Sequence, residues 1–159
     1  MTTGLHAIES SGLGRTMRES LWAYPIVETF HIIGLATIFG SVLVVDLRLL
    51  GLSRTVSVAR LARHALPWTV AGFGLVLCTG LMMFSAHTED FLGNGVFMLK
   101  MGLILAAGIN AATLHTGPLR AAGDWDLGVP PPARVRVAAG LSIVLWMSVI
   151  ACGSFLAYT

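Results

Sequence analysis

Four long apolar stretches dominate this sequence and limit what the chain can fold into. A helix needs about 20 mainly apolar residues to cross a bilayer, and four stretches meet this requirement: residues 21–45, 66–85, 96–114 and 137–158. Over the whole chain, 55% of the residues are hydrophobic and only 11% are charged, whereas soluble domains carry roughly a quarter charged residues. The sequence therefore predicts a single all-α membrane domain over residues 1–159, built as a four-helix bundle.

The charge balance and the two cysteines exclude several other kinds of protein. Ten basic residues against eight acidic ones give a net charge of +2, which is too balanced for a nucleic-acid-binding surface. Cys78 and Cys152 both lie inside apolar stretches, so they form neither a disulfide framework nor a zinc knuckle. We therefore expect the lipid bilayer as the environment of the chain and no nucleic-acid partner.

The positions of the arginines predict how the four spans are oriented. Cytoplasmic loops of membrane proteins carry an excess of Lys and Arg. The link between the second and third spans has no basic residue, only Glu89 and Asp90, whereas the other two links are rich in arginine. We therefore expect these two links in the cytoplasm and both termini on the periplasmic side of the bacterial inner membrane. The arginines concerned are Arg48, Arg54, Arg60, Arg63, Arg120, Arg134 and Arg136.

Three segments outside the spans have patterns of their own. Residues 5–20 place apolar side chains among polar ones, which predicts one short interfacial helix or two pieces broken near Gly12 and Gly14. Residues 52–64 predict a short basic amphipathic helix at the cytoplasmic surface. Residues 117–133 are rich in Gly and Pro and predict an irregular cytoplasmic loop.

Ionisable residues within a span are costly to insert and are therefore candidates for function. Glu28 and His31 are three residues apart in the first span, so they share a face of the helix. Gly34 lies nearby and lets a second helix or a flat ligand approach closely. The carboxylate could orient a metal-ligating imidazole or serve proton transfer, or both groups could only form hydrogen bonds across helices. The spacing leaves these alternatives open.

Three other histidines lie near the ends of the predicted spans. His31 and His87 fall toward the outer face, and His64 and His115 toward the cytoplasmic face. Two histidines near each face are expected of a b-type cytochrome with two haems. The fit is imperfect, because His64 and His87 are 23 residues apart, about 34 Å along a helix. Both would then lie at the extreme ends of the second span.

The methionines suggest copper as an alternative metal. Thioether and imidazole groups form a soft ligand set that suits Cu(I), although methionine also fills gaps in apolar helices. The alternative copper set is His31, His87, Met82, Met83, Met98 and Met101.

Two polar residues of the third span complete the candidate site. Lys100 lies four residues into the span, where it can extend outward to the headgroups or pair with Glu28 at a similar depth. Asn110 shares a stripe of small residues with Gly102 and Ala106, which favours a hydrogen bond between helices over contact with a ligand. The candidate haem-binding residues are His31, His115, His64, His87, Glu28, Asn110 and Lys100.

Several short strings of the sequence resemble one known family. The resemblance rests on small, aromatic or ionisable residues at particular places in the first three spans. These strings are Trp22–Tyr24–Pro25, Glu28–Thr29–Phe30–His31–Ile32–Ile33–Gly34, Asp46–Leu47–Arg48–Leu49–Leu50–Gly51, Thr79–Gly80 with Phe84, Phe97 with Lys100, and Asn110–Ala111 with His115. Over about residues 10–116 the sequence resembles a family of small bacterial four-span membrane proteins of unknown function.

A looser resemblance concerns only the first span. A histidine one third of the way into the span, followed three residues later by a glycine, is similar to copper-resistance D-type and b-type cytochrome-like membrane families. This resemblance implies haem or copper handling.

Three functions remain open from the sequence. The first is a protein with non-covalent haem b that transfers electrons, with a quinone or a redox protein as its partner. The second is a copper-handling protein, and the third is an assembly protein whose buried polar groups only fix helix packing. Four short spans with many small residues enclose little volume, so we also expect a homo-oligomer.

Overall fold

The computed structural model describes residues 2–117 and 125–158, and these residues form helices joined by short connections. Four helices, α3, α4, α6 and α7, are long and apolar enough to cross a membrane. This confirms the predicted all-α membrane protein with four spans. In chain order the helices are α1 (Thr2–Glu9), α2 (Gly12–Glu19), α3 (Ala23–Leu50), α4 (Val58–Ala86), α5 (Thr88–Gly93), α6 (Gly95–Thr116) and α7 (Ala133–Phe155).

The helix ends differ from the predicted span ends, most clearly between the first two spans. α3 continues past residue 45 to Leu50 and ends at Gly51, whose φ of 109° favours glycine. The separate amphipathic helix predicted over residues 52–64 is wrong, because α4 begins at Val58 and runs on into the span without a break. The hydroxyl of Ser57 caps this start by accepting a hydrogen bond from the N–H of Arg60.

α3 is the central helix of the bundle. It packs along α4 and also against α7, while α6 packs along α7. A Cβ atom added at Gly34 would lie 3.2 Å from the carbonyl oxygen of Gly72, and one added at Gly72 would lie 3.1 Å from that of Gly34. The close crossing of α3 and α4 therefore depends on two residues without side chains.

The three short helices lie together at one end of the bundle, which we call the capped end. Of the two forms predicted for residues 5–20, the pair of helices is confirmed, and the break falls just before Gly12. Met17 on α2 is buried, and the Arg18 guanidinium donates hydrogen bonds to the carbonyl oxygens of Ala86 (2.9 Å) and Glu9 (2.7 Å). These contacts fasten α1 and α2 to the end of α4.

The opposite end, which we call the arginine end, holds the chain after α6. Residues 125–132 contain no helix, as predicted for this loop, while the rest of the Gly- and Pro-rich stretch, residues 118–124, lies outside the described residues. Trp125 is nevertheless buried, in a cluster with residues from all four long helices. The cluster comprises Leu49, Val58, Leu114, Trp125, Val135 and Ala139.

Arg48 and Asp126 join the connections at the arginine end. The buried Arg48 guanidinium donates hydrogen bonds to the carbonyl oxygens of Val56 and Asp126, both at 2.6 Å. The Asp126 carboxylate accepts from the Ser57 hydroxyl at 2.6 Å and from the N–H of Val58 at 2.5 Å. The bond from Ser57 above all holds the pKa of the Asp126 carboxyl below its usual range.

Candidate functional site

The ring of His31 has a defined orientation against α4. Its Nδ1 atom lies 2.9 Å from the hydroxyl oxygen of Thr79. That hydroxyl has a single proton, which it donates to the carbonyl oxygen of Leu75 at 2.7 Å. Thr79 therefore accepts a hydrogen bond from Nδ1–H of His31, and in the neutral ring the Nε2 atom has the lone pair. The ring also lies close enough to the backbone of Val76 to hydrogen-bond with it.

A glycine on α4 makes room for the His31 ring. A Cβ atom added at Gly80 would lie 3.3 Å from Cε1 and 3.7 Å from Nδ1 of His31. Thr79 supplies the hydrogen bond and Gly80 supplies the space, so two adjacent residues together position the ring. Thr79–Gly80 is one of the strings that carry the family resemblance, and that string was the signal for this contact.

Lys100 reaches the same region from α6. A Cβ atom added at Gly153 on α7 would lie 3.3 Å from Nζ of Lys100, so the ammonium group lies against the last turn of α7. It lies close enough to the His31 ring and to Cys152 to act on them electrostatically. We use the term His31 site for the group that α3, α4, α6 and α7 bring together: His31, Thr79, Lys100 and Cys152.

Glu28 takes a different place from the one predicted. Its side chain is exposed, and Nδ1 of His31 is bonded to Thr79, so the predicted carboxylate–imidazole bond is not formed. The predicted pair with Lys100 is likewise not among the ion pairs of the described residues. Glu28 instead lies one helical turn from Tyr24, within electrostatic range of its hydroxyl.

The other histidine near the capped end contacts a different part of α3. His87 follows α4 and packs edge-on against Tyr24, with ring centroids 6.0 Å apart. Thr79, the partner of His31, precedes His87 by eight residues, about 12 Å along the helix, so the two histidines lie at different depths of the bundle.

The two histidines at the arginine end are both exposed. His64 lies in the first turns of α4, and Nδ1 of His115 bonds to the carbonyl oxygen of Ala111 on its own helix at 2.9 Å. Within residues 2–117 and 125–158 no group of three or more His, Cys, Asp or Glu side chains is placed to hold a metal ion.

The methionines and Asn110 occupy packing positions. Met82 and Met83 pack against an apolar cluster that contains Val27. Met98 and Met101 are 56% and 39% exposed on α6, so the structure does not gather the six residues of the copper set. Asn110 donates a hydrogen bond to a carbonyl oxygen of α7 at 3.0 Å, which confirms its predicted role between helices.

A concave pocket lies above the His31 site at the capped end. Its volume is about 440 Å³, and its lining includes Tyr24, His87, Asp90 and Phe91. Tyr24 precedes His31 by seven residues, so both lie on nearly the same face of α3, about 10 Å apart along the helix axis. We call this the capped-end pocket.

Comparison with known families gives one match. The model of a family of unknown function, DUF6644, matches residues 9–159. The chain belongs to this family. Comparisons with curated proteins and with solved structures find no match. The match agrees with the predicted membership in a four-span family of unknown function, and it includes all residues of the His31 site.

Proposed function

We propose that this protein binds a quinone at the His31 site and takes part in electron transfer within the membrane. A quinol hydroxyl donates a hydrogen bond, and Nε2 of His31 has the lone pair that accepts one. A quinone carbonyl accepts a hydrogen bond, and Lys100 is a cationic donor directed into the same region. The observation that carries the proposal is this combination of an oriented acceptor and a donor inside the bundle.

The packing of the helices supports entry of such a ligand from the bilayer. α4 and α6 do not pack along each other, and they meet near the capped end through Phe84 and Phe97, whose ring centroids are 5.9 Å apart. Away from these rings the two helices leave a gap, and His31, which is half-buried, keeps part of its side chain accessible.

A second candidate is the haem b protein predicted from the sequence. A neutral imidazole whose Nδ1–H is held by a neighbouring group is the form that ligates iron through Nε2. His31 fits this role as a single axial ligand, and the haem would supply one-electron transfer. The placements of His64, His87 and His115 do not support the scheme with two haems.

The proposed membrane, orientation and oligomeric state follow from the sequence. The arginine distribution favours the bacterial inner membrane, with the capped end outward. The homo-oligomer remains part of the proposal on the ground given by the sequence, the small interior that four short spans enclose.

A binding titration with a short-tailed benzoquinone, in lipid nanodiscs, tests the proposal. We expect His31→Ala to weaken binding about 2- to 12-fold, the loss of one hydrogen bond, and Lys100→Met to weaken it as well. His6→Ala is the matched control, because His6 is exposed on α1. Wild-type affinity in both His31→Ala and Lys100→Met would refute the quinone site.

An optical spectrum of the purified protein decides between the two candidates. A Soret band that disappears in His31→Ala, but persists in His6→Ala, would assign His31 to haem instead of quinone. A spectrum without a Soret band, together with the expected loss of quinone binding, supports the proposal.

A further inference from the structure

A row of polar groups leads from the capped-end pocket along α3 to His31. Tyr24, Glu28 and His31 are spaced four and three residues apart, so they lie within about 60° of one another around the helix. The row descends about 10 Å along the helix axis. Tyr24 lines the pocket together with His87 and Asp90, which places ionisable groups at its mouth.

Glu28 is the informative member of this row. It lies five residues after the start of α3, within the first span, and its side chain is exposed. A carboxylate that faces hydrocarbon is costly, whereas one that faces water is not. Which of the two surrounds Glu28 depends on what lies over this face of α3.

The end of α7 leaves this face of α3 open toward the capped end. The side chain of Asp46 lies close to that of Ser142 on α7, and Glu28 lies on the same stripe of α3, 18 residues or five turns closer to the capped end. The antiparallel α7 continues only 13 residues beyond Ser142, to Phe155. By this count the helix itself ends about five residues short of the level of Glu28, and the next residue, Leu156, lines the capped-end pocket together with Tyr24.

Aromatic rings separate the pocket from the bilayer on another side. Phe84, Phe91 and Phe97, from α4, α5 and α6, contact one another with centroid distances of 5.2 to 6.2 Å. Phe91 also lines the capped-end pocket. The three rings close the gap between α4 and α6 at this depth, so the pocket opens toward the capped end.

We propose that the capped-end pocket and Glu28 form an aqueous vestibule through which water and protons reach His31 from the capped end. The vestibule ends at His31, because Leu35, the next residue on this face toward the arginine end, is apolar. Water access to His31 does not depend on which ligand binds there. Where the ligand is a quinol, as proposed above, a proton accepted by Nε2 of His31 would leave through Glu28.

Cysteine accessibility in lipid nanodiscs tests this vestibule. Single cysteines replace Glu28, Thr29 and Leu35 in a chain with Cys78→Ala and Cys152→Ala, and a charged, water-soluble methanethiosulfonate modifies them. Thr29 is the matched control, since it is also exposed and lies at the same depth, but points about 100° away. We expect Glu28→Cys to react at least about tenfold faster than Thr29→Cys, because the reactive thiolate requires water, and Leu35→Cys to react slowly.

Three outcomes would overturn the vestibule. Equally slow reaction at positions 28 and 29 would mean that lipid covers Glu28. Equally fast reaction would mean that this part of α3 lies outside the bilayer. Fast reaction of Leu35→Cys would mean that water passes beyond His31.

The native carboxylate provides a second measurement that needs no substitution. We expect a water-soluble carbodiimide with an added amine to modify Glu28, as it modifies the exposed Glu89, with both sites read by peptide mass. Modification of Glu28 only by a lipid-soluble carbodiimide would overturn the proposal. Neither labelling result depends on the quinone titration, so the vestibule and the quinone site can fail separately.

Discussion

Gly14 is the position at which one added methyl group should release the capped end. A Cβ atom there would lie 2.6 Å from the carbonyl oxygen of Ser85, 2.7 Å from that of Glu9 and 3.0 Å from that of Ile8. All three contacts are with backbone atoms, which cannot rotate away. Overpacking of this kind costs about 1–3 kcal/mol, so we expect Gly14→Ala to loosen α2 from the end of α4.

Amide hydrogen exchange of residues 12–19 measures this loss. A cost of about 1–3 kcal/mol raises the population of the detached state about 5- to 150-fold, and exchange should rise by the same factor where opening limits it. Exchange within α7 should stay unchanged, because α2 packs against α1, α3 and α4 but not along α7.

Gly12→Ala is the matched control in the same helix. Nothing lies within 4 Å of a Cβ atom at this position, so the same methyl group meets no clash. It should leave exchange unchanged or lower it slightly, since Gly→Ala at a compatible site stabilises by about 0.4–1 kcal/mol. Wild-type exchange in Gly14→Ala, or an equal rise in Gly12→Ala, would refute the reasoning.

Three further predictions concern charged groups. The pKa of Asp126 is lowered in the folded protein, so its contribution to stability is complete above the unfolded value of about 3.9 and is lost as the pH falls through the folded value; the protection of amides in the first turn of α4, measured relative to their intrinsic exchange rate at each pH, should therefore fall with acid in the wild type, and Asp126→Asn should remove that pH dependence. In a double-mutant cycle of unfolding free energies, Lys100→Met and Glu28→Gln should be additive within about 0.5 kcal/mol, because no ion pair joins them in the described residues; a larger coupling would restore the pair predicted from sequence. Glu89→Cys should react with an impermeant thiol reagent in intact cells while Arg60→Cys does not, and the reverse pattern would invert the proposed orientation.

Sequence reasoning singled out His31 and Lys100 as candidate site residues but did not find the contacts that they make. His31 and Lys100 were selected because an ionisable group inside a span is costly wherever its partner lies. The partner predicted for His31 was Glu28, its neighbour on the same helix, whereas the observed partner is Thr79, 48 residues away. Helical spacing identifies only neighbours within one helix, so it could not predict a contact between two helices.

For the segments that connect the helices, the sequence likewise predicted local structure but not the contacts between distant residues. Gly and Pro in residues 117–133 predicted an irregular loop, and this was correct where the loop is described. The pattern did not indicate that Trp125 is buried or that Asp126 binds the start of α4. Both contacts join parts of the chain more than 60 residues apart, and the Asp126 carboxylate accepts a hydrogen bond at the start of α4.

The sequence by itself determined that this chain is a four-span membrane protein, because the length and apolarity of a span are local properties that the bilayer selects directly. Family membership likewise follows from the order of the residues. Only the tertiary structure decided that Thr79 orients His31, that Lys100 lies beside Gly153, and that α7 ends short of Glu28. These features depend on the crossing and vertical register of separate helices, which result from close packing at small residues such as Gly34, Gly72 and Gly80.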